Sequence, residues 1–357
     1  MKKILLISFI AFAMQSQCKA QTFDTLWANR FQTVLDSVVT ANNIKGASAA
    51  VLAPGQGIWN GVSGISSSGV PVTAGMQFGI GSNTKLFIAT VMAKLQEQGV
   101  LSLDDHLYQW LPAYPYIDST TTIRQLLSHQ SGIFDYMNDN ASMWDSIWAD
   151  TTRFWTPQEI LATIGPPHFA PGHGYSYSNT NYLLAGMIID TATGISWVQN
   201  LHTIIFNPLN MDSTFVGAFE APNGPVAHEW VGTLELINSP MTSEYSTASA
   251  AGALLSTAGE MVQWYSALFN GAIIADSSLH EVLNFDPTSF YGLGLAEVPN
   301  NSLNYYHAGG MFGYISLMWY DVQTKSVICL LTNGGVTDFN AFIIPVLNVF
   351  YNRHYSE

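Results

Sequence analysis

The chain has 357 residues, of which 48% are hydrophobic and only 10% are charged, and its net charge is −14. This length and composition allow a large core in one domain or two lobes, and they exclude a largely disordered chain. Eleven basic residues against 25 acidic ones are too few to form a patch that binds nucleic acid or an anionic membrane.

The first twenty residues differ from the rest of the chain. Two lysines precede an apolar stretch at 4–14, and the segment ends in the small residue Ala20. This order is typical of a secretory signal peptide cleaved near Ala20, and the apolar stretch is too short to span a membrane. Lipid attachment at Cys18 is the alternative, although the polar residues before it fit poorly. We therefore expect a secreted or periplasmic protein. Cleavage removes three lysines and leaves eight bases against 25 acids, a net charge of −17.

The pattern of apolar residues then predicts a helix, two strands and a second helix. Residues 22–41 have the spacing of an amphipathic helix. Residues 46–64 read as two short strands around a Pro-Gly-Gln-Gly turn. Residues 82–98 are apolar on nearly every side, which favours a buried helix, and Gly99 ends it.

The rest of the chain predicts a helical block followed by strands. Residues 100–250 read as helical pieces broken by Pro and Gly loops. The later predicted elements are a helix at 251–271, strands at 290–298, 314–322 and 326–335, and a helix at 338–352. Cys329, the one cysteine beyond the leader, lies in the last strand and is predicted to be an inert core thiol.

Strands near both ends of the chain predict an α+β fold, an α/β sandwich. One antiparallel sheet is built from both chain ends and flanked by helices, with a mostly helical lobe inserted. The expected boundaries are 21–81 and 250–357 for the sheet lobe and 82–249 for the helical lobe.

The segment FGIGSNTKLFIATVMA, residues 78–93, places polar residues at the front of an apolar run. Ser82 as a helix N-cap is the structural interpretation. A cap gives no reason for Lys85, which lies one turn later on the same face and has its charge at the unfavourable end of the helix dipole. A neutral lysine amine can activate a serine hydroxyl, and burial at a helix start would lower the pKa of Lys85. The Ser82 N–H could also donate to an oxyanion. The Ser-x-x-Lys spacing alone is common by chance.

Two later segments carry further candidate groups. Tyr177 and Asn179 form a Tyr-x-Asn at the entry to a helix predicted to begin near Thr180. The phenol could accept the serine proton, and the amide could bond both Lys85 and substrate. The structural alternative is that Tyr177 packs in the core and Asn179 caps the helix.

The segment around residues 304–320 contains His307, Gly309 and Gly310 at a strand end. The glycines allow close approach of the backbone, so the Gly310 N–H could be a second oxyanion donor. His307 could shape the cleft or donate to a carbonyl. The structural alternative is a glycine-rich turn beside a half-exposed histidine.

Ser-x-x-Lys, Tyr-x-Asn and His-x-Gly in this order resemble the serine hydrolases related to class C β-lactamases. That family includes D-alanyl-D-alanine carboxypeptidases, D-aminopeptidases and β-lactamase-like esterases. Further segments across about 40–355 resemble the same family: LLSHQSGI (126–133), FNPLNM (206–211), AAGALLSTAGEM (250–261), YGLGL (291–295) and LLTN (330–333).

The resemblance implies a role for each candidate residue. Ser82 would be the acylated nucleophile, and Lys85 and Tyr177 would share the acid–base work. Substrate would be positioned by Asn179, with His307 and Gly309 on the edge strand, and the Ser82 and Gly310 amides would form the oxyanion hole. The family needs no metal or other cofactor, and its partner is a small-molecule or short-peptide substrate.

One departure from the family pattern concerns carboxylate recognition. True β-lactamases of this class carry Lys-Thr-Gly where this chain has His307-Ala308-Gly309. A mostly neutral histidine and an alanine bind a substrate carboxylate less well, unless an arginine reaches in. β-Lactam hydrolysis is therefore expected to be minor or absent.

The sequence thus predicts a secreted serine acyl-hydrolase that acts through an acyl-enzyme on small peptides or esters. Within that prediction, peptidase and carboxylesterase activities both stay open. The alternative from another class is a catalytically silent relative that binds cell-wall fragments or a partner. The sequence makes no prediction about oligomeric state.

Overall fold

The computed structural model describes residues 22–237, 240–335 and 338–354, so the predicted signal peptide lies outside the described residues. The described strands, numbered in chain order, are β1 Gly46–Ala53, β2 Gly57–Ser67, β3 Val70–Pro71, β4 Phe78–Gly79, β5 Phe215–Val216, β6 Glu229–Val231, β7 Leu234–Leu236, β8 Leu254–Ser256, β9 Ala296–Val298, β10 Asn301–Gly310, β11 Ile315–Asp321 and β12 Ser326–Thr332.

The described α-helices are α1 Thr25–Ala41, α2 Thr84–Glu97, α3 Ile123–Leu127, α4 Ala141–Ala149, α5 Pro157–Leu161, α6 Asn179–Thr193, α7 Trp197–Leu201, α8 Asn207–Leu209, α9 Thr242–Ala248, α10 Ala258–Phe269, α11 Asp276–Val282 and α12 Phe339–His354. Short 3₁₀ turns lie at Gly81–Asn83, Leu107–Gln109 and Ser249–Ala251, and a π-helical turn lies at His202–Phe206.

Seven strands form one antiparallel sheet in the order β3-β2-β1-β12-β11-β10-β9. Strand β1 pairs with β2 on one side and with β12 on the other, where Ala47 lies opposite Thr332. The sheet is therefore built from strands near both chain ends, with most of the helices between them in sequence. This confirms the predicted α+β class.

Helices cover both faces of the sheet, which explains why β12 is buried along its whole length. Ile328 and Leu330 point to the face that packs against α1 and α12. Cys329 and Leu331 point to the opposite face, which packs against α10. Burial raises the pKa of the Cys329 thiol, as expected for an unreactive core cysteine.

Two predicted elements are wrong in part. The helix predicted at 251–271 begins only at Ala258, because Leu254–Ser256 pairs as a strand between β4 and β5. That tertiary pairing overrides a helix-like local pattern. Of the strand predicted at 290–298, only β9 forms, because the chain before it turns at Gly294, whose φ is +77°.

The remaining predicted helices differ only at their ends. Helix α1 begins at Thr25 rather than at residue 22, because the Asp24 carboxylate accepts from the Trp27 N–H and caps it. Among the described helices, none is long and apolar enough to cross a bilayer.

Candidate active site

Three side chains from two separate parts of the chain meet at the start of α2. The Lys85 Nζ lies 3.0 Å from the Ser82 Oγ, and the Tyr177 hydroxyl donates to the same oxygen at 2.8 Å. Ser82 and Tyr177 are partly exposed, whereas Lys85 is fully buried. The structure thus brings together the hydroxyl, amine and phenol that the sequence singled out.

The local backbone explains the position of Ser82. Gly81 has a φ of +49°, and a Cβ there would lie 2.8 Å from the Gly310 nitrogen. Ser82 follows in the 3₁₀ turn, and α2 itself begins at Thr84. The N-cap of α2 is Asn83, so the interpretation of Ser82 as the cap is wrong. The Ser82 hydroxyl is instead directed at Lys85 and Tyr177.

The Lys85 Nζ lies within hydrogen-bond distance of three oxygen atoms. Its Nζ donates to the Asn179 Oδ1 and to the Ala251 carbonyl oxygen, both at 2.8 Å. These two oxygens only accept, so they take two N–H groups. The Nζ also donates to the Ser82 Oγ, and loss of one proton from the ammonium would leave a lone pair for the Ser82 hydroxyl. Burial lowers the pKa of Lys85 to about 7, and the nearby Asp135 carboxylate partly opposes that shift.

Tyr177 is set up as a neutral phenol. Burial raises its pKa well above the ordinary value, so the phenol hydroxyl stays protonated at neutral pH. Its ring lies 4.2 Å from the His129 ring, measured between centroids, and the Lys85 Nζ lies 4.8 Å from its centre. The His129 Nδ1 accepts from the Ser178 N–H, which fixes the backbone next to Tyr177.

Asn179 is the first residue of α6 and faces the buried side of Lys85. Its side chain makes no capping bond; the N-cap is Ser178, so the capping interpretation is wrong. The Asn179 Nδ2 donates to the Asp135 carboxylate at 3.1 and 3.3 Å. Sequence reasoning missed Asp135. A signal existed, because it is a lone acid inside the apolar run Ile-Phe-Asp-Tyr-Met.

The end of β10 passes close to Ser82. A Cβ on Gly309 would lie 2.0 Å from the Ile80 carbonyl oxygen, so only glycine allows this approach. The Met311 N–H donates to the Tyr314 carbonyl, which makes Gly310 and Ile315 the next, non-hydrogen-bonded pair of the β10–β11 ladder. The Gly310 N–H therefore points away from β11.

His307 is buried, so the interpretation as a half-exposed histidine is wrong. Its Nε2 lies 2.9 Å from the Tyr291 hydroxyl and its Nδ1 lies 2.7 Å from the Ala308 carbonyl oxygen. Burial and the charge of Lys85 lower the pKa of His307 to about 3, so the ring is neutral. His307 supports the strand from behind the cleft.

A cleft of about 130 Å³ opens above Ser82. The described residues that line it are Gly81, Ser82, Met137, Asn138, Trp144, Tyr177, Asn179, Ala248, Ala251, Gly252, Gly310 and Met311. His307 and Gly309 are not among them. Trp144 and Trp148 of α4 pack on Phe312, with ring centroids 4.9 and 4.3 Å away, so α4 and the β10–β11 turn meet across the cleft.

No lysine or arginine is among the described residues that line the cleft. Arg124 pairs with Asp104 and Glu281, and Arg153 pairs with Glu159. Neither reaches the cleft, so nothing described there compensates for the missing Lys-Thr-Gly. In the described part of the chain, no group of three or more His, Cys, Asp or Glu side chains could hold a metal ion.

Two buried glutamates lie beneath the turn that follows Gly310. Glu244 is 1% exposed and accepts from the Phe312 N–H at 2.7 Å, and Glu229 is fully buried beside it. Burial, reinforced by the charge of Glu229, raises the pKa of Glu244 well above its ordinary value. The folded protein therefore keeps a proton that the unfolded chain releases.

That proton makes stability depend on pH in a defined direction. Because the folded state binds more protons than the unfolded state, the free energy of unfolding falls as pH rises above the ordinary carboxyl range. We expect Glu244→Gln, which keeps an acceptor for Phe312, to lose less melting temperature between pH 5 and pH 8 than the wild type. Thermal melts followed by circular dichroism measure this, and equal losses would contradict it.

The chain is similar to known proteins over most of its length. A family model described as Beta-lactamase matches residues 21–346. Penicillin-binding protein 4* of Bacillus subtilis (strain 168) is 28% identical over 286 residues, which cover 74% of this chain. The matched region spans only 62% of that protein's length.

The chain also matches two solved structures, and each match covers nearly all of the solved chain. The D-amino acid amidase from Ochrobactrum anthropi SV3, complexed with L-phenylalanine amide, has a TM-score of 0.79 and 31% identity, covering 92% of this chain and 99% of that one. A D-stereospecific amidohydrolase from Streptomyces sp. has a TM-score of 0.76 and 28% identity, covering 90% and 97%.

Proposed function

The chain belongs to the beta-lactamase family and is a serine hydrolase, and from this premise we propose that it is a secreted acyl-hydrolase acting on small amides, peptides or esters. Its intermediate would be an acyl-enzyme on Ser82. The observation that carries the proposal is the contact of one hydroxyl with both a buried amine and a phenol. Secretion rests on the leader-like residues 1–20 alone.

In the acylation step, the neutral Lys85 amine takes the Ser82 proton as Oγ attacks the substrate carbonyl carbon. Lys85 is the base available at neutral pH. Its pKa is lowered to about 7, which leaves a large fraction of the amine neutral, whereas the raised pKa of Tyr177 keeps the phenol protonated. The carbonyl oxygen gains negative charge, and the amides of Ser82 and Gly310 would donate to it.

Collapse of the tetrahedral intermediate breaks the bond to the leaving group. The amine or alcohol that departs takes the proton of Tyr177, whose hydroxyl already donates to Ser82, and the Lys85 ammonium returns a proton to the phenolate, so that the Lys85 amine is neutral again. Water then attacks the acyl carbon while Lys85 accepts its proton. The bond from the acyl carbon to the Ser82 Oγ breaks, Lys85 gives the proton to Oγ, and the carboxylic acid is released.

The cleft favours substrates without a carboxylate next to the scissile bond. His307 is neutral, Ala308 has no hydroxyl, and no described cation lines the cleft. The net charge of −14 also repels anions at long range. Amino-acid amides and short esters satisfy these limits, and the similar D-amino acid amidase supports the amide class.

A panel of four substrate types tests this preference. We expect D-phenylalanine amide and a short acyl ester to be hydrolysed with kcat/KM at least tenfold above that of a D-alanyl-D-alanine peptide or a β-lactam. A lost charge-assisted hydrogen bond to the carboxylate, worth about 1.5–3 kcal/mol, predicts a difference of this order. Faster turnover of the carboxylate substrates would instead favour a carboxypeptidase, in line with the penicillin-binding relative. Binding without acylation would favour the silent binder.

A further inference from the structure

The Asp135 carboxylate lies behind the candidate catalytic groups and is only 1% exposed. We infer that Asp135 is a positioning residue, which fixes the amide of Asn179 and, through it, the amine of Lys85. The inference deepens the proposed function and rests on it.

The first step of the argument is the direction of the Asn179 amide. Its Nδ2 faces both oxygens of Asp135, at 3.1 and 3.3 Å, and its Oδ1 faces the Lys85 Nζ at 2.8 Å. An ionised carboxylate only accepts hydrogen bonds, so a reversed amide would place oxygen against oxygen at Asp135. The acid therefore keeps the amide oxygen on the side of the amine.

The second step is the rigidity of Asp135 itself. Its carboxylate also accepts from the Met137 N–H at 2.9 Å and from the Asn138 Nδ2 at 2.6 Å. Met137 and Asn138 both line the cleft. The same carboxylate thus orders the cleft wall and the amide that holds the base.

The third step is charge. Asp135 is the one anion among the described groups that act on the Lys85 amine, and it raises the pKa that burial lowers. The rings of Tyr177 and Tyr182 lie 4.8 and 5.4 Å from Nζ and are neutral, since burial raises both pKa values. The nearby imidazoles, His129 and His307, are neutral because burial and Lys85 lower their pKa values.

The test is a direct titration of Lys85 in the full chain. The full chain has only seven lysines, so ¹³C-lysine labelling gives a simple spectrum. In Asp135→Asn we expect the Lys85 midpoint to fall by about one pH unit, because an opposite charge close by is lost. In the pH profile of kcat/KM for an amide or ester substrate, the midpoint of the acid limb should shift to lower pH by the same amount. We also expect kcat to fall about tenfold or more, because the base is misplaced.

A matched control lies four residues further on in the same loop. Asp139→Asn is the same chemical change at an acid that contacts the Asp135 N–H and His168 but not Asn179, so the Lys85 midpoint should not move. If Asp135→Asn fails to fold, Asp135→Ser is smaller, equally neutral and carries the same prediction.

An unmoved Lys85 midpoint in a folded Asp135 variant would overturn the inference. The proposed function fails separately, if the wild type neither turns over any substrate nor accepts a serine-reactive label. In that case the NMR midpoint still decides whether Asp135 controls Lys85.

Discussion

Ser82→Ala is expected to reduce kcat by about 10⁴-fold or more, the order seen when a hydrolase loses its nucleophile. The substitution removes the atom that would carry the acyl group, while Lys85 and Tyr177 keep their remaining contacts. Turnover of D-phenylalanine amide and of a short ester measures the loss. Intact-mass measurement with a fluorophosphonate should show one adduct on the wild type and none on the variant.

The matched control for this experiment is Ser142→Ala, which changes an exposed serine of α4. It should keep wild-type turnover and labelling. Peptide mapping that places the adduct on another residue, or a Ser82 variant with most of its activity, would remove the basis of the proposed mechanism.

Lys85→Met is expected to lower kcat/KM by about 10²–10⁴-fold, the usual contribution of a general base. The wild-type kcat/KM should rise with pH along a one-proton limb centred near 7, because only the neutral amine accepts the Ser82 proton and its pKa is lowered to about 7. Below that pH the ammonium form predominates and activity falls. In Lys85→Met the limb should disappear.

The control is Lys94→Met on the same helix, where an exposed pair with Glu97 is lost. Such pairs are worth about 0.2–1 kcal/mol, so activity should stay unchanged. Lys85→Arg should not restore activity, because the guanidinium stays protonated. A wild-type limb centred well away from 7, retained in Lys85→Met, would point to a different base.

The sequence alone was enough to predict much of the site, because its main signals are local or belong to family motifs. Ser82 and Lys85 are one helical turn apart, and the Tyr-x-Asn and His-x-Gly segments are short. The sheet from both chain ends also follows from where the strand-like runs lie.

What the sequence did not predict depends on contacts between distant segments. Asp135 matters because burial places it against Asn179, 44 residues later in the chain. His307 is buried because Tyr291 closes over its Nε2. Leu254–Ser256 is a strand because neighbours pair with it on both sides. Local hydrophobic spacing does not identify the partner in any of these pairings, even where it marks Asp135 as a lone acid in an apolar run.

The pairing of β1 with β12 also bears on when the chain can become active. During synthesis β1 emerges early, but Ala47 cannot pair with Thr332 until β12 has also been synthesised. Contacts of such long sequence separation fold slowly. Until they form, Lys85 is hydrated and its amine keeps an ordinary pKa, so it is protonated at neutral pH. On the proposed mechanism, a ribosome-bound or partly translocated chain is therefore chemically silent, and acyl transfer begins only once the last strand has docked.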